Sequence, residues 1–491
     1  MIRIFKHYIS RWSLLLVFIE AMIFTGSVYI GVNLRFLGET PGPEDAHADL
    51  LLPRAAFFAA VMLISMTATG RYQRLMDEGM AGEALSVGLS FIIGLVAASV
   101  LFYVLPDLFI GRGAFGYALA AALLLTLTGR WLFYRFLLDA SLLKRRILVY
   151  GAGERARLVE QLDNAETHND IRVVGFWPIP GEAQHAHPSR VVAQGGDLLS
   201  WCRRQSIHEI VVACDNNLPD LAASSLLDCK VNRINVIDLP SFFEREQRMI
   251  NLDVLGNAWW VFNSEGVTRS MIEDSAKKAF DIIVSLIGII VLSPVMVAAA
   301  LAVLIESGGR GPIFYRQARV GFGGRIFHVM KFRSMRTDAE KDGPQWASRN
   351  DSRVTRVGRV IRNTRIDELP QFFNVLRGEM SLVGPRPERP EFVELLQSKI
   401  PYFKERLRVK PGITGWAQIK YGYGSSVQDA EEKLKYDLYY VKNHTLFFDL
   451  LVLVHSVEVV LFGRGAEQPI TPKTPTQEAY SPWPPDDNPN R

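Results

Sequence analysis

Hydrophobic positions fall along this chain in blocks of different length and period. Four long apolar stretches occupy the first third, roughly Leu14–Leu34, Arg54–Thr69, Ala84–Leu105 and Ala114–Gly129. The first and third approach the ~20 residues a helix needs to cross a hydrocarbon core, and the shorter second and fourth draw on flanking residues. Charge at the flanks orients them. Arg3, Lys6 and Arg11 precede the first stretch, Arg71 and Arg74 follow the second, and Lys144, Arg145 and Arg146 follow the fourth. The loop between the first two carries Glu39, Glu44, Asp45 and Asp49 instead. The excess of basic residues on cytoplasmic flanks places both ends of a four-span helical bundle, residues 1–143, in the cytoplasm. Glu20 lies inside the first span, where an acid is either functional or paired with a neighbouring helix, and the sequence assigns it no role.

From Arg146 the pattern shortens to ILVYGAGERARLVEQL: a β-branched run, the turn Gly151-Ala152-Gly153, then an amphipathic helical period. Strand-like runs recur at Ile171–Phe176, Glu209–Ala213 and Asn235–Leu239. This is the grammar of a Rossmann-like α/β domain, here 144–265. Ala156 stands at the third glycine position, which the fingerprint allows. The acid expected about 20 residues on, at the end of the second strand, is missing, because that strand runs into Phe176-Trp177-Pro178. The expectation is a domain that keeps the fold for a regulatory or structural purpose without the dinucleotide.

A fifth apolar segment, Ala279–Leu304, is long enough to span. Ser293-Pro294 falls near its middle, where proline removes a backbone hydrogen bond and bends a helix. Lys277 and Lys278 precede it, and Arg310, Arg316 and Arg319 follow. A single crossing would put one basic group outside, against the charge rule. A re-entrant helix–break–helix hairpin over 279–304 is expected, with the Ser293 hydroxyl serving backbone groups freed at the bend. A kinked span is the competing arrangement. Near the C-terminus, Leu446–Phe462 is apolar but short and interrupted by Asp449, His455 and Glu458, as in a helix lying on the bilayer or packed in a core. Seven prolines and many polar residues after Gly465 indicate a disordered tail, 465–491.

Composition adds limits to this picture. The 491 residues are 48% hydrophobic but only 22% charged, which suits membrane segments joined to water-soluble domains. A formal net charge of +4 is too small to argue for nucleic acid. Cys202, Cys214 and Cys229 are odd in number and lack CxxC spacing, so they read as small core residues rather than a zinc site or a disulfide set.

Candidate chemistry concentrates between Lys277 and Gly463. In RIDELPQFFNV, Asp367 and Glu368 precede Leu369-Pro370. Proline is tolerated in the first turn of a helix, so a helix is expected to start near Asp367. Its positive end would then favour the ionised carboxylates needed to attack phosphorus or hold a metal. Adjacent helical residues diverge by ~100°, which suits two roles rather than one shared role. Arg386, between Pro385 and Pro387, is restrained for phosphate recognition, although a turn arginine has the same surroundings. Lys331 and Arg333 flank an aromatic residue on a strand-like run and share one face. Arg353, Arg356, Arg359, Arg362 and Arg365 recur every third residue, but steps of three fan over ~240°, so only a subset faces one site. Arg362 and Arg365, nearest the acids, are the expected members.

The segments Phe327–Arg336, Arg365–Val375, Leu376–Pro387 (LRGEMSLVGPRP) and Val409–Ile419 (VKPGITGWAQI), with the mid-segment Ser293-Pro294, closely resemble the monotopic phosphoglycosyl transferases, bacterial sugar transferases, in order and spacing. The resemblance covers Lys277 to Gly463, and the upstream spans and Rossmann-like unit look like the long form of that family. It implies a catalytic α/β domain at 271–464 anchored by the re-entrant hairpin. It also implies an exopolysaccharide, capsule or O-antigen initiating enzyme that moves a sugar 1-phosphate from a UDP-sugar to a polyprenyl phosphate and releases UMP. The resemblance makes Asp367 the nucleophile of a two-step reaction, associates Glu368 with a required Mg2+, and links Pro385, Arg386 and Pro387 to the nucleotide sugar. Its implied setting is the bacterial inner membrane, with lipid as a partner and the catalytic domain on the cytoplasmic face; a homodimer is compatible.

Two other readings compete. A membrane-tethered nucleotide-sugar dehydratase also places spans before a Rossmann unit, but needs a tyrosine with lysine four residues on, which none of the 15 tyrosines has. A non-catalytic membrane scaffold would use the Asp367-Glu368 pair only as a helix cap.

Overall fold

The computed structural model describes residues 2–4, 7–9, 11–37, 48–69, 71–72, 79–135, 144–164, 171–192, 197–215, 220–255, 271–309, 311–337, 339, 351–422, 424 and 426–462. The expected tail, the joints at 136–143 and 256–270, and Arg310 lie outside these residues. The chain divides into two compact units, Met1–Phe262 and Asn263–Arg491.

The first unit opens with a small antiparallel pair, β1 (Ile2–Ile4) and β2 (His7–Ile9). Four long helices follow: α1 (Arg11–Arg35), α2 (Ala48–Ala68), α3 (Gly79–Val104) and α4 (Arg112–Phe133). Each has the length and apolarity to cross a membrane. They pack around a shared core that includes Phe24, Phe58, Met62, Phe91 and Ala118. α1 meets α4 closely at Gly31, where a Cβ would lie 2.5 Å from the Ala114 carbonyl oxygen. Small residues permit such approach where apolar surroundings give helices no hydrophobic reason to associate. The outward faces stay apolar: Phe18, Met22, Leu85 and Leu124 are all exposed. This is a membrane protein of mixed α and α/β structure.

Glu20 is paired within the helices. Arg130 Nε donates to Glu20 Oε1 at 2.6 Å, and Arg130 Nη1 donates to Glu83. The Tyr72 hydroxyl donates to Glu20 Oε2 at 2.5 Å, and Arg71 pairs with Glu83 at 3.4 Å. All four charged residues are buried.

The same unit carries β3 (Arg145–Tyr150), α5 (Glu154–Asn164), β4 (Ile171–Trp177), α6 (Leu198–Arg204), β5 (Glu209–Val212), α7 (Asp220–Val231), β6 (Asn235–Asp238) and α8 (Leu239–Gln247). The four strands form a parallel sheet in the order β4-β3-β5-β6. Ile147, Leu148 and Val149 are fully buried because helices cover both faces of such a sheet. The glycine turn takes an unusual form. The Asp215 carboxylate accepts hydrogen bonds from the Glu154 and Arg155 backbone N–H groups, at 2.8 and 2.9 Å. A Cβ on Gly153 would lie 1.9 Å from Asp215 Oδ2. In a dinucleotide-binding unit the pyrophosphate takes that place at the helix N-terminus. Here the chain's own carboxylate satisfies those donors. The three cysteines are free and buried.

The second unit begins with α9 (Met271–Glu306). Two helices separated at Ser293-Pro294 were expected, and one continuous helix is found. Pro294 has no N–H for the Ile290 carbonyl, but Ser293 Oγ donates to that oxygen at 2.8 Å, so the helix continues past the proline. One stripe of α9 meets its own unit along its length. Lys277 Nζ is 2.9 Å from Asp449, and Asp281 accepts from the Leu382 N–H at 3.3 Å. A Cβ on Gly288 would lie 3.1 Å from the Phe372 ring. Val303 packs with Phe332 and Ile361, and Glu306 accepts from the Val357 N–H at 3.1 Å. The opposite side, including Ile283, Ile290, Val291 and Ile305, is exposed.

Sheet content in this unit is sparse among the described residues. β7 (Phe314–Val320) pairs antiparallel with β8 (Ile326–Phe332). The helices α10 (Arg356–Asn363) and α11 (Gln371–Leu376) follow, then β9 (Ser381–Val383) and α12 (Pro390–Lys399). β10 (Gly412–Thr414) pairs parallel with β9 and leads to α13 (Trp416–Lys420), α14 (Val427–Asn443) and α15 (Leu446–Phe462). α15 packs inward through Phe448, Asp449, Val452 and His455, with Leu450 exposed.

Candidate active site

Asp367 and Glu368 do not lie in the first turn of a regular helix. They occupy a 3-10 turn, Ile366–Glu368, that precedes the six-residue α11. Arg365 ahead of them is left-handed, with φ 58°. That conformation is costly for a residue with a side chain and turns the chain sharply out of α10. Successive residues of a 3-10 turn diverge by about 120°. The two carboxylates accordingly face different surroundings.

Three features fix the turn. Thr355 Oγ1 caps α10 by accepting from the Gly358 N–H at 2.9 Å. A Cβ on Gly358 would lie 2.0 Å from the Ser334 carbonyl oxygen, so only glycine lets α10 sit against the end of β8. Asn374, fully buried in α11, accepts from the Met330 N–H at 3.0 Å and donates to the His328 carbonyl at 2.8 Å. The acid turn is thereby clamped to the strand that carries Lys331.

Glu368 is the hub of the cations. Its Oε1 accepts from Lys331 Nζ at 2.7 Å and from Arg386 Nη2 at 2.9 Å, while Oε2 lies 3.8 Å from Arg365 Nη1. Burial alone would raise this carboxyl, but Arg386, Lys331 and Arg365 overcome it and hold it well below the usual carboxylate range. Asp367 is the contrary case. Its carboxylate has no hydrogen bond or ion pair among the described residues, and it lines the main cavity, which has a volume of about 630 Å³. Burial and then the neighbouring Glu368 charge push Asp367 above its ordinary value. The lowering that the sequence suggested is not found for Asp367, because burial and the Glu368 charge outweigh the nearby cations.

Lys331, Arg333, Arg362, Arg365 and Arg386 all line this cavity. Of the arginines at every third position, Arg353 also reaches it, while Arg356 and Arg359 do not. Pro385 and Pro387 are not part of its lining; their carbonyls accept from Gly412 N–H at 3.0 Å and Arg319 at 2.9 Å and hold the turn that presents Arg386. Ser293 and Pro294 lie in α9, away from this lining.

Other lining residues escaped sequence reasoning. Tyr315, Gln317 and Arg319 come from alternate positions of β7. Ser426, Ala430, Lys433 and Asp437 form a helical stripe at the N-cap and along α14. Arg406 pairs with Asp437 at 2.8 Å and donates to the Arg386 carbonyl at 2.8 Å. Burial pushes the Asp437 carboxyl up to about 6, against the pull of Arg406. The periods of two and of 3.6 were legible; which face meets the acid pair was not.

Arg386→Ala removes a charge-assisted hydrogen bond from Glu368 and a cation from the cavity. Donor kcat/KM is expected to fall roughly thirtyfold with an unchanged melting temperature, because the side chain is partly exposed. Unaltered kinetics with a range of donors would remove Arg386 from the site.

Comparison with known proteins places this geometry. The family described as Bacterial sugar transferase matches residues 272–463. The chain is 47% identical over 190 residues to the UDP-N-acetylgalactosamine-undecaprenyl-phosphate N-acetylgalactosaminephosphotransferase of Aeromonas hydrophila, a match covering 39% of this chain and 44% of that protein. It is 40% identical over 321 residues to the UDP-glucose:undecaprenyl-phosphate glucose-1-phosphate transferase of Escherichia coli (strain K12), covering 64% of this chain and 67% of that one. A protein of the same name from Xanthomonas campestris pv. campestris is 29% identical over 407 residues, covering 80% of this chain and 84% of its own length.

Proposed function

This chain belongs to the bacterial sugar transferase family, and from that membership and the geometry of its acid pair we propose that it transfers a sugar 1-phosphate from a UDP-sugar to polyprenyl (undecaprenyl) phosphate, releasing UMP. The observation that carries the reading is the division of labour between adjacent acids: Glu368 gathers the cations, and Asp367 faces the cavity with no hydrogen-bond partner among the described residues. Relatives named for N-acetylgalactosamine and for glucose leave the sugar open.

In the proposed reaction an Asp367 carboxylate oxygen attacks the β-phosphorus of the donor. A phosphorus–oxygen bond forms, the bond to the bridging oxygen breaks, and UMP leaves with that electron pair. A phosphate oxygen of the polyprenyl phosphate then attacks the same phosphorus and restores the carboxylate. Lys331, Arg386, Arg362 and Arg365 offset the charge of the diphosphate while Asp367 approaches. Splitting the transfer lets the water-soluble donor depart before the lipid acceptor arrives.

The donor set suits magnesium, which is commonly held by one or two carboxylates together with substrate phosphates and water. Among the described residues no group of three or more possible ligands occurs, which fits a metal shared with substrate rather than a protein cage. Glu368, through Oε2, which lies 3.8 Å from Arg365 Nη1, is the residue that would hold it. When bound, the ion would neutralise phosphate charge and polarise phosphorus.

The same reading places α1 to α4 as four spans and α9 on one membrane face without crossing. Residues 277 to 306 cover about 44 Å of helix, more than a hydrocarbon core, yet contacts at both ends and along its length are to the same unit. A crossing helix would leave one end far from that unit. The exposed apolar side would then face lipid at the cytoplasmic face of the bacterial inner membrane, where the assembly of an exopolysaccharide, capsule or O-antigen unit begins. Cysteines placed singly at Met271 and Arg310 are expected to resist an impermeant maleimide added outside intact cells. External labelling of either one would establish a crossing.

The test of the activity is purified protein with a panel of UDP-sugars, magnesium and polyprenyl phosphate. UMP is the expected nucleotide product. UDP would indicate direct glycosyl transfer, and no turnover with any donor would favour a scaffold.

A further inference from the structure

We propose that Gln418 is a positioning residue that holds Arg386 for the donor diphosphate; this rests on the reading of the donor as a UDP-sugar. Arg386 Nη1 donates to the Gln418 side-chain oxygen at 3.2 Å, and Nη2 donates to Glu368 Oε1 at 2.9 Å. The guanidinium is thus held at both terminal nitrogens, by an amide on one side and a carboxylate on the other. Gln418 lines the same cavity as Asp367 and Arg386.

Arg386 has need of the second hold. Its side chain is 32% exposed, and a long side chain left free must be ordered at a cost when a ligand binds. Pro385 and Pro387 restrain the backbone of Arg386 but not its side chain. Glu388 and Asp437 share the cavity lining, so a guanidinium held at one end only could turn toward other acids. Fixing both ends sets the plane of the fork, and that plane decides whether two parallel hydrogen bonds can reach a phosphate.

Gln418 can act as a hold because it is itself fixed. It lies in α13, whose Trp416 is buried with its ring centre 6.2 Å from that of Tyr439 and 5.1 Å from that of Phe448. The turn before α13 is joined to the turn that carries Arg386. The Gly384 N–H donates to the Thr414 carbonyl at 2.9 Å, and a Cβ on Gly415 would lie 2.2 Å from the Gly384 carbonyl oxygen. Gln418 Nε2 donates to the Ile413 carbonyl at 3.4 Å, which directs the amide oxygen to Arg386. The reversed amide would set N–H donors against a guanidinium that only donates. The residue type matters too. An amide accepts from arginine without a charge of its own, whereas a carboxylate there would take up the cation and repel an incoming diphosphate.

The experiment measures binding of UDP with magnesium to the full chain in nanodiscs by calorimetry. The proteins are the wild type, Gln418→Met, Gln418→Glu, Arg386→Ala and the double variant Gln418→Met with Arg386→Ala. Gln418→Met keeps the length of the side chain and removes the acceptor, and is expected to weaken UDP about tenfold, the scale of a hydrogen bond to a charged group. Gln418→Glu keeps the size and adds a charge, and is expected to weaken UDP more than Gln418→Met does. In the Arg386→Ala background, Gln418→Met is expected to change UDP binding less than about twofold, because its effect passes through the arginine. An equal effect in both backgrounds would show that Gln418 acts through packing or touches the ligand itself, and would overturn the assignment. So would unchanged UDP binding in Gln418→Met, or wild-type binding in Gln418→Glu. If Gln418→Met does not fold, Gln418→Glu decides. Release of UMP from a UDP-sugar by the same wild-type preparation reports on the transfer reading separately. A protein that turns over without coupling between Gln418 and Arg386 refutes the positioning role alone.

Discussion

Asp367→Asn is expected to lower sugar-phosphate transfer by about ten-thousandfold or more, the scale of losing a nucleophile rather than a binding contact. The substitution keeps the size of the side chain and leaves the Glu368 contacts to Lys331 and Arg386 in place. It removes a carboxylate oxygen from the residue that lines the cavity without a partner among the described residues. Because Asp367 makes no ion pair among the described residues, the variant is also expected to fold at least as well as the wild type; burying an unpaired charge is unfavourable, and the amide relieves it. Intact mass after incubation with donor and magnesium, without lipid, is the direct readout. A sugar-phosphate adduct on the wild type that is absent from Asp367→Asn would identify the nucleophile and the donor sugar together. Retained turnover in the variant would sink the covalent reading.

The second large effect lies in the helices of the first unit. Arg130 is buried between Glu20 and Glu83, and replacing it with methionine leaves two carboxylates that face, among the described residues, Arg71, Tyr72 and Tyr134. Removing one partner of a buried ion pair typically costs ~3–5 kcal/mol, and Arg130→Met is expected in that range, seen as a large fall in folded protein recovered in detergent and in its melting temperature. The double variant Glu20→Gln with Arg130→Met removes one charge of each sign and leaves the Arg71–Glu83 pair. It is expected to recover more than half of the loss, because the cost arises from an uncompensated charge rather than from missing attraction. Equal loss in single and double variants would show that Arg130 acts through packing instead.

These expectations draw unequally on sequence and structure. The four apolar helices follow from composition and length, and their mutual attachment does not: Glu20, Arg71, Glu83 and Arg130 are separated by up to 110 positions, and only packing brings them together. The Gly151-Ala152-Gly153 turn was legible as the start of a Rossmann-like unit. That Asp215, about 60 positions later, fills its anion site was not, because the contact depends on the neighbouring parallel strand. The expected break at Ser293-Pro294 erred on one local detail, a serine hydroxyl able to replace the hydrogen bond that proline forfeits.

At the site, the sequence by itself determined the residue types available to the proposed chemistry: adjacent carboxylates, a restrained arginine between prolines, and basic residues close by in a chain with membrane segments. Residue type and short spacing carry that information, since charge, donor geometry and turn preference belong to the residues themselves. Tertiary structure alone decided the surroundings of each. A 3-10 turn after left-handed Arg365 sends Glu368 to Lys331 and Arg386 and leaves Asp367 facing the cavity. It also brought Arg406 and Asp437, from a turn and a helix well beyond the acid pair, into the same wall. Long-range pairing is set by which faces must be buried together, and the order of residues along the chain does not encode that in any local window.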